Sequence, residues 1–127
     1  MNIMLLLSIG LGGFIGAILR FSISSWVGKL ATTTLPFGTL SVNILGSLFI
    51  GFLFLYFQHI NLSVNQKSFL ITGLLGALTT FSTFSLDTVL LLQQEYYLKA
   101  MGNVLLNVIF SLSATLLGIY IFRKIYL

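Results

Sequence analysis

Four long apolar runs make up most of the chain, and short polar breaks separate them. The runs cover residues 3–26, 36–58, 67–93 and 100–124. Each is long enough, as a helix, to cross about 30 Å of hydrocarbon with some tilt. The breaks are Lys29 to Pro36, His59 to Lys67 and Gln93 to Lys99. The pattern predicts an all-α integral membrane protein of four transmembrane helices, packed as antiparallel neighbours, with Pro36 in the first turn of the second helix.

Polar side chains inside two of the runs recur at every fourth position, which places them on one helix face. The stripe of the last run is Asn103, Asn107, Ser111 and Thr115. The stripe of the second run is Thr39, Asn43 and Ser47. Amides and hydroxyls are costly in hydrocarbon unless they are hydrogen-bonded or hydrated. A polar stripe therefore indicates either hydrogen bonds between helices or the lining of a water-filled path. For a single hydroxyl the first explanation is favoured, but two asparagine-bearing stripes favour the path.

The chemistry of this lining fits an anion. Amide N–H and hydroxyl groups can solvate an anion, whereas a cation path usually carries carboxylates or rings of carbonyls. Arg20 is the one basic residue that could stand at a mouth of the path and attract an anion. A long basic side chain near a helix end can equally reach back to the membrane surface, and the sequence leaves both roles open.

The segment GALTTFSTFS, residues 76–85, carries five hydroxyls within an otherwise apolar run. Phe81 and Phe84 stand three positions apart in it, on one face if the segment is helical. A phenylalanine ring has a positive edge, so edges turned into a narrow passage would favour a small anion without trapping it. Because the chain has twelve phenylalanines, ordinary packing of these two rings is the alternative.

The first half of the same segment predicts a local break in the third helix. Gly76 weakens a helix, and the hydroxyls of Thr79 and Thr80 compete for backbone hydrogen bonds. Unwound backbone persists in a membrane only inside a protein or against water, and its freed carbonyls often bind a cation. The carbonyl oxygens of Gly76 and Thr79 are therefore candidate cation ligands.

Composition limits the class of protein. The 127 residues are 57% hydrophobic and 6% charged, too few charges to cover a globule in water, so lipid is expected to surround one domain of residues 1–127. There is no cysteine, and the only other candidate groups for acid–base or metal chemistry are His59, Asp87 and Glu95. An enzyme is therefore not expected. The net charge of +4 comes from scattered basic residues, which argues against nucleic acid as a partner.

The distribution of the basic residues does not predict an orientation in the membrane. With four spans, Lys67, Arg123 and Lys124 share one side of the membrane, and Arg20, Lys29 and Lys99 share the other. Positive charge in short loops normally decides orientation, and here three residues oppose three. Insertion in both orientations, which would allow an antiparallel dimer, is one explanation.

Small residues also recur at four-residue spacing, which predicts close approach between helices. The pairs are Gly12 and Gly16, Ser47 and Gly51, Gly73 and Ala77, and Ala114 and Gly118.

Four stretches closely resemble the fluoride channel family, Fluc or CrcB. They are GGFIGAILRF at 12–21, FGTLSVNILGS at 37–47, GLLGALTTFSTFSLDT at 73–88 and NVLLN at 103–107. The resemblance implies a dual-topology, antiparallel homodimer in a prokaryotic inner membrane, with two fluoride pathways. Fluoride that enters the cell as neutral HF and dissociates there would leave passively, down its electrochemical gradient. No glycine-rich phosphate loop for a nucleotide is present.

The same resemblance implies roles for individual residues. Phe81 and Phe84 match aromatic residues that contact fluoride, and Asn43 matches a pore asparagine. Thr83, Ser111 and Arg20 match further pathway positions. The carbonyls of Gly76 and Thr79 match ligands of a structural sodium ion at the centre of the dimer. Three positions differ from the family pattern: Asn107 stands where serine is expected, Asn103 where some relatives have tyrosine, and Asp87 where glutamate is expected.

Two other classes of protein compete with a fluoride channel. A small four-helix, proton-coupled multidrug exporter needs a membrane-embedded carboxylate, typically in its first helix. The first run has none, and Asp87, the only carboxylate within a run, lies near one end. A non-transporting scaffold would explain the small-residue pairs but not the polar stripes.

Overall fold

Helices form the whole of the ordered secondary structure. The computed structural model describes residues 1–127 and contains no β-strand. In chain order the elements are α1 (Ile3–Leu30), α2 (Phe37–His59), α3 (Val64–Ser68), a π-helical stretch (Phe69–Leu75), α4 (Gly76–Leu78), α5 (Phe81–Gln93) and α6 (Tyr97–Tyr126). Four stretches are long and apolar enough to cross a membrane: Ile3–Leu30, Phe37–His59, Val64–Gln93 and Tyr97–Tyr126. The predicted all-α class and the four spans are confirmed.

The helix ends differ from the predicted ones by a few residues. Helix α1 continues to Leu30, with Lys29 in its last turn, where a positive charge faces the free carbonyls of the helix end. The third span begins at Val64 because Ser63 and Gln66 form a capping box, with reciprocal hydrogen bonds of 3.0 and 3.2 Å. Pro36 is the residue before the first turn of α2 rather than a member of it.

Backbone-to-backbone contact holds the spans together in two pairs. Helix α1 packs chiefly against the π-helical stretch, and α2 packs chiefly against α6. A side chain at Gly12 would collide with the carbonyl of Phe69. A side chain at Gly51 would collide with the carbonyl of Thr115, and one at Gly118 with α2. The predicted close approach of helices at the small residues is confirmed within the chain.

Few side chains are buried within the chain. Only 21 of 127 residues are buried, so most apolar side chains of the spans face outward, as the lipid-facing surface of a membrane protein does. The small core cluster of Val42, Leu75 and Leu78 lies beside the end of α4. Asn103 and Asn107 are among the few buried polar residues.

Two residues of the third span lie outside any helix. Helix α4 ends at Leu78 and α5 begins at Phe81. Between them, Thr79 (φ −86°, ψ 157°) and Thr80 (φ −151°, ψ 120°) are extended. Extended residues cannot complete the helical hydrogen-bond pattern, so their backbone groups need other partners at this depth of the span.

Candidate ion pathway

A groove of about 400 Å³ lies where α2, α6 and the extended residues of the third span meet. Its lining residues are Asn43, Gly46, Ser47, Ile50, Ile71, Leu75, Gly76, Thr79, Thr80, Phe81, Phe84, Asn107, Val108 and Ser111. Five of the predicted pathway residues are among them: Phe81, Phe84, Asn43, Asn107 and Ser111. Both polar stripes and the segment of residues 76–85 therefore contribute to one surface, which we call the main groove.

Asn43 takes the place of the missing helical partners of Thr80. The backbone N–H of Thr80 donates to Oδ1 of Asn43 at 2.8 Å, and Nδ2 of Asn43 donates to the carbonyl of Thr80 at 3.2 Å. The hydroxyl of Thr80 also accepts a hydrogen bond from the N–H of Thr83 at 3.2 Å, which caps α5. These side chains satisfy both backbone polar groups of Thr80, which have no helical partner within the span.

Further amides extend this contact away from the main groove. Nδ2 of Asn43 also donates to Oδ1 of Asn107 at 3.0 Å. Nδ2 of Asn107 donates to the carbonyl and to Oδ1 of Asn103, at 2.9 and 3.1 Å. Nδ2 of Asn103 donates to the hydroxyl of Thr88 at 2.9 Å. Asn103 is only 2% exposed and does not line the main groove, although it shares the predicted stripe.

The two phenylalanines differ in their surroundings. Their ring centroids lie 5.3 Å apart with an interplanar angle of 58°, and both rings line the main groove. Phe84 is 9% exposed, whereas Phe81 is 77% exposed at the first position of α5. Phe84 is therefore packed within the chain, and Phe81 lies at its outer surface.

Two hydroxyls that line the main groove, those of Ser47 and Ser111, are free. Neither hydroxyl makes a hydrogen bond inside the protein, whereas the hydroxyl of Thr79 donates to the carbonyl of Leu75 at 3.0 Å. Ser47 belongs to the predicted polar stripe of the second run, but no individual role in the pathway was predicted for it. The signal for it was its position one helical turn after Asn43 in the same stripe.

Two backbone carbonyls at the main groove also have no hydrogen-bond donor. Thr80, the helical partner expected for the carbonyl of Gly76, donates to Asn43 instead. The carbonyls of Gly76 and Thr79 receive no hydrogen bond within the chain, and both residues line the main groove. No cluster of three or more His, Cys, Asp or Glu is present in the chain.

Arg20 and Thr83 lie elsewhere. They line a second groove of about 230 Å³, together with Ser24, Thr39 and Thr80. Thr80 lines both grooves. The hydroxyl of Thr39, which also lines this second groove, donates to a carboxylate oxygen of Asp87 at 3.0 Å. The predicted pathway residues are therefore divided between two surfaces of the chain.

Four spans, three of which line a groove of neutral donors and aromatic rings, define a small multi-pass membrane protein with a polar groove along its helices. The family described as "CrcB-like protein, Camphor Resistance (CrcB)" matches residues 7–119, and the chain belongs to it.

Similar bacterial proteins bear out this membership. A protein of Sulfurovum sp. is 55% identical over 122 residues, 96% of each chain. One of Nitratiruptor sp. is 49% identical over 128 residues, which cover 99% of this chain and 98% of the relative. One of Campylobacter jejuni is 52% identical over 118 residues, which cover 93% of this chain and 97% of the relative. Each of the three is named "Fluoride-specific ion channel FluC".

Proposed function

We propose that this protein is a fluoride-specific ion channel that lets cytoplasmic fluoride leave the cell passively and so lowers its toxicity. Near-full-length relatives that carry this name support the proposal. The observation that carries it is the convergence of Phe81, Phe84, Asn43 and Ser111 on one groove without any ionised group. Such a lining can replace part of an anion's water shell and still release the ion, as conduction requires.

The groups free to contact fluoride are not the amides. Both amide hydrogens of Asn43 are engaged, and the amide of Asn107 donates to Asn103. The free hydroxyls of Ser47 and Ser111, with the positive edges of Phe81 and Phe84, remain as donors. We propose that fluoride passes along these groups. Asn43 and Asn107 shape the passage.

We assign Arg20 and Thr83 to an outer part of the proposed fluoride pathway. A guanidinium beside the second groove raises the local concentration of anions without binding them inside the narrow passage. Thr80 lines both grooves, so a fluoride pathway that includes both of them would pass this residue.

We propose further that two copies assemble as an antiparallel homodimer. Phe81 and Gly76 are exposed on the protomer, and the free carbonyls beside them would face hydrocarbon if lipid covered the main groove. A second copy could cover this surface. The balance of three basic residues on each side permits insertion in both orientations, which an antiparallel pair needs.

A structural sodium ion fits the free carbonyls at the break in the third span. The carbonyls of Gly76 and Thr79 have no donor in the chain, and an alkali cation is the kind of ion that neutral carbonyls hold without carboxylates. When bound, the ion would supply a fixed positive charge that ties these carbonyls together. The chain's contribution is to hold Thr80 on Asn43, which keeps the carbonyl of Gly76 free.

Ion flux from liposomes tests the function. Purified protein is reconstituted in vesicles loaded with potassium fluoride or potassium chloride, and external anion is followed with an electrode after valinomycin is added. We expect rapid efflux of fluoride, no efflux of chloride above that of empty vesicles, and no need for a proton gradient. Equal chloride efflux would contradict a fluoride-specific channel, and flux that depends on a proton gradient would favour a coupled exporter.

A further inference from the structure

A continuous set of side-chain hydrogen bonds links the extended residues of the third span to the interior of the α5–α6 contact. We call it the amide relay, and it consists of Thr80, Asn43, Asn107, Asn103 and Thr88. We propose that Asn103 and Asn107 are positioning residues of the ion pathway, which act through Asn43 and give no hydrogen bond to the ion. The inference rests on the proposed channel function and adds to it a role for two asparagines.

Backbone groups fix the direction of every bond in the relay. At one end, the N–H of Thr80 can only donate and its carbonyl can only accept, which sets the orientation of the Asn43 amide. Asn43 then has a hydrogen left for Oδ1 of Asn107. The amide nitrogen of Asn107 consequently points towards the carbonyl of Asn103, which again can only accept. Reversal of any one amide would bring two donors or two acceptors together.

The relay leaves no amide hydrogen for an anion in the main groove. The two hydrogens of Asn43 go to Thr80 and Asn107, and the amide of Asn107 goes to Asn103. Asn107 is 6% exposed and Asn103 is 2% exposed, so a released partner would have little access to water. An ion that took a hydrogen from either amide would leave a buried acceptor unpaired, which is costly.

The relay is attached to α5 at two places. Thr80 caps the start of this helix through the N–H of Thr83, and at the other end the hydroxyl of Thr88 donates to the carbonyl of Phe84 at 2.8 Å. The part of α5 between these attachments carries Phe81 and Phe84. The relay therefore holds this segment against α2 through Asn43 and against α6 through Asn103 and Asn107.

Asn103→Leu tests the proposal because Asn103 does not line the main groove. Leucine is close to asparagine in volume but removes Oδ1, the side-chain acceptor for Asn107, and the amide donor to Thr88, while the bond from Asn107 to the backbone carbonyl of residue 103 remains. We expect fluoride efflux to fall about tenfold, the effect of a modest loss of preorganisation on a rate. Thr88→Val removes the same link from its other end, so the double variant should be no slower than Asn103→Leu alone.

Phe122→Leu is the matched control for general loosening of the helix pair. Phe122 is a buried residue of α6, 1% exposed, and its ring packs against that of Phe52 of α2, with centroids 5.4 Å apart. This substitution should lower the melting temperature of the purified protein without slowing fluoride efflux. A positioning role requires that Asn103→Leu slow efflux more than Phe122→Leu does at a comparable loss of melting temperature.

The outcomes separate the two proposals. If the wild-type protein passes no fluoride, the channel function itself fails. If it passes fluoride and Asn103→Leu does so at the wild-type rate, the amide relay has no positioning role. Additive effects of Asn103→Leu and Thr88→Val would also overturn it. If Asn103→Leu is not recovered as folded protein, the efflux of Thr88→Val decides: slowed efflux supports the relay, and wild-type efflux rejects it.

Discussion

The side chain of Asn43 forms hydrogen bonds with the backbone of Thr80, and the carbonyl of Gly76 consequently loses its helical donor. The N–H of Thr80 lies 2.8 Å from Oδ1 of Asn43, although in a continuous helix it would donate to the carbonyl of Gly76. The return bond from Nδ2 of Asn43 to the carbonyl of Thr80 measures 3.2 Å. One side chain of α2 thus stabilises the extended residues of the third span and exposes the carbonyl of Gly76 for another partner.

Asn43→Leu should destabilise the protein and abolish fluoride flux. Leucine is close in size but cannot pair with Thr80, which is 8% exposed, so its N–H and carbonyl would each lose a partner. Each buried unpaired group costs roughly 1–3 kcal/mol. We expect a lower melting temperature in detergent and loss of fluoride efflux. Asn61→Leu, in an exposed loop residue, is the control and should change neither quantity. An unchanged melting temperature for Asn43→Leu would show that Thr80 finds other partners.

Phe81→Ile and Phe84→Ile should both slow fluoride efflux, but they should differ in stability. Isoleucine removes the positive ring edge in each case. Phe84 is 9% exposed and Phe81 is 77% exposed, so only the first substitution removes much packing within the protomer. We expect Phe84→Ile to lower the free energy of unfolding by about 1–3 kcal/mol and Phe81→Ile to change it less. Efflux is measured by electrode, with the dimer checked by size-exclusion chromatography. Wild-type flux in both variants would assign the rings to packing alone.

Removal of sodium should weaken the assembly. If the free carbonyls of Gly76 and Thr79 hold sodium, exchange into N-methyl-D-glucamine chloride should lower the melting temperature of the purified protein. At about 100 times the dissociation constant, a bound ion contributes roughly 2.7 kcal/mol to the free energy of unfolding. Potassium chloride at the same ionic strength is the control for general salt effects. Equal melting temperatures in sodium, potassium and the organic cation would argue against a sodium site.

Hydropathy predicted the four spans correctly because lipid requires long apolar helices, whatever their packing. The sequence predicted the helix ends less accurately. Continuation of α1 to Leu30 depends on backbone hydrogen bonds that the polar residues there do not reveal. The start at Val64 had a readable signal in Ser63 and Gln66, which are spaced as a capping box.

The polar stripes predicted which residues share a helix face but not which partner each amide has. Asn103 and Asn107 lie one turn apart in one stripe, yet only Asn107 lines the main groove. The hydroxyl of Thr88 lies close enough to engage Asn103 because of the rotation of α5 against α6, a relation between two helices that the periodicity of one helix does not contain. For the same reason the sequence did not separate Arg20 and Thr83 from the other predicted pathway residues.

Gly118→Ala should loosen the contact between α2 and α6, whereas Gly102→Ala should not. A Cβ at Gly118 would collide with the carbonyl of Leu48 and lie 2.8 Å from the backbone nitrogen of Phe52, and neither backbone atom can move aside without shifting α2. Overpacking of this kind typically costs about 1–3 kcal/mol. Gly102 is on the same helix with nothing within 4 Å of the added carbon, so alanine there should be neutral or stabilise α6 slightly. The melting temperatures of the two variants are compared in the same detergent. Equal values would mean that the helices separate at Gly118 without loss of stability.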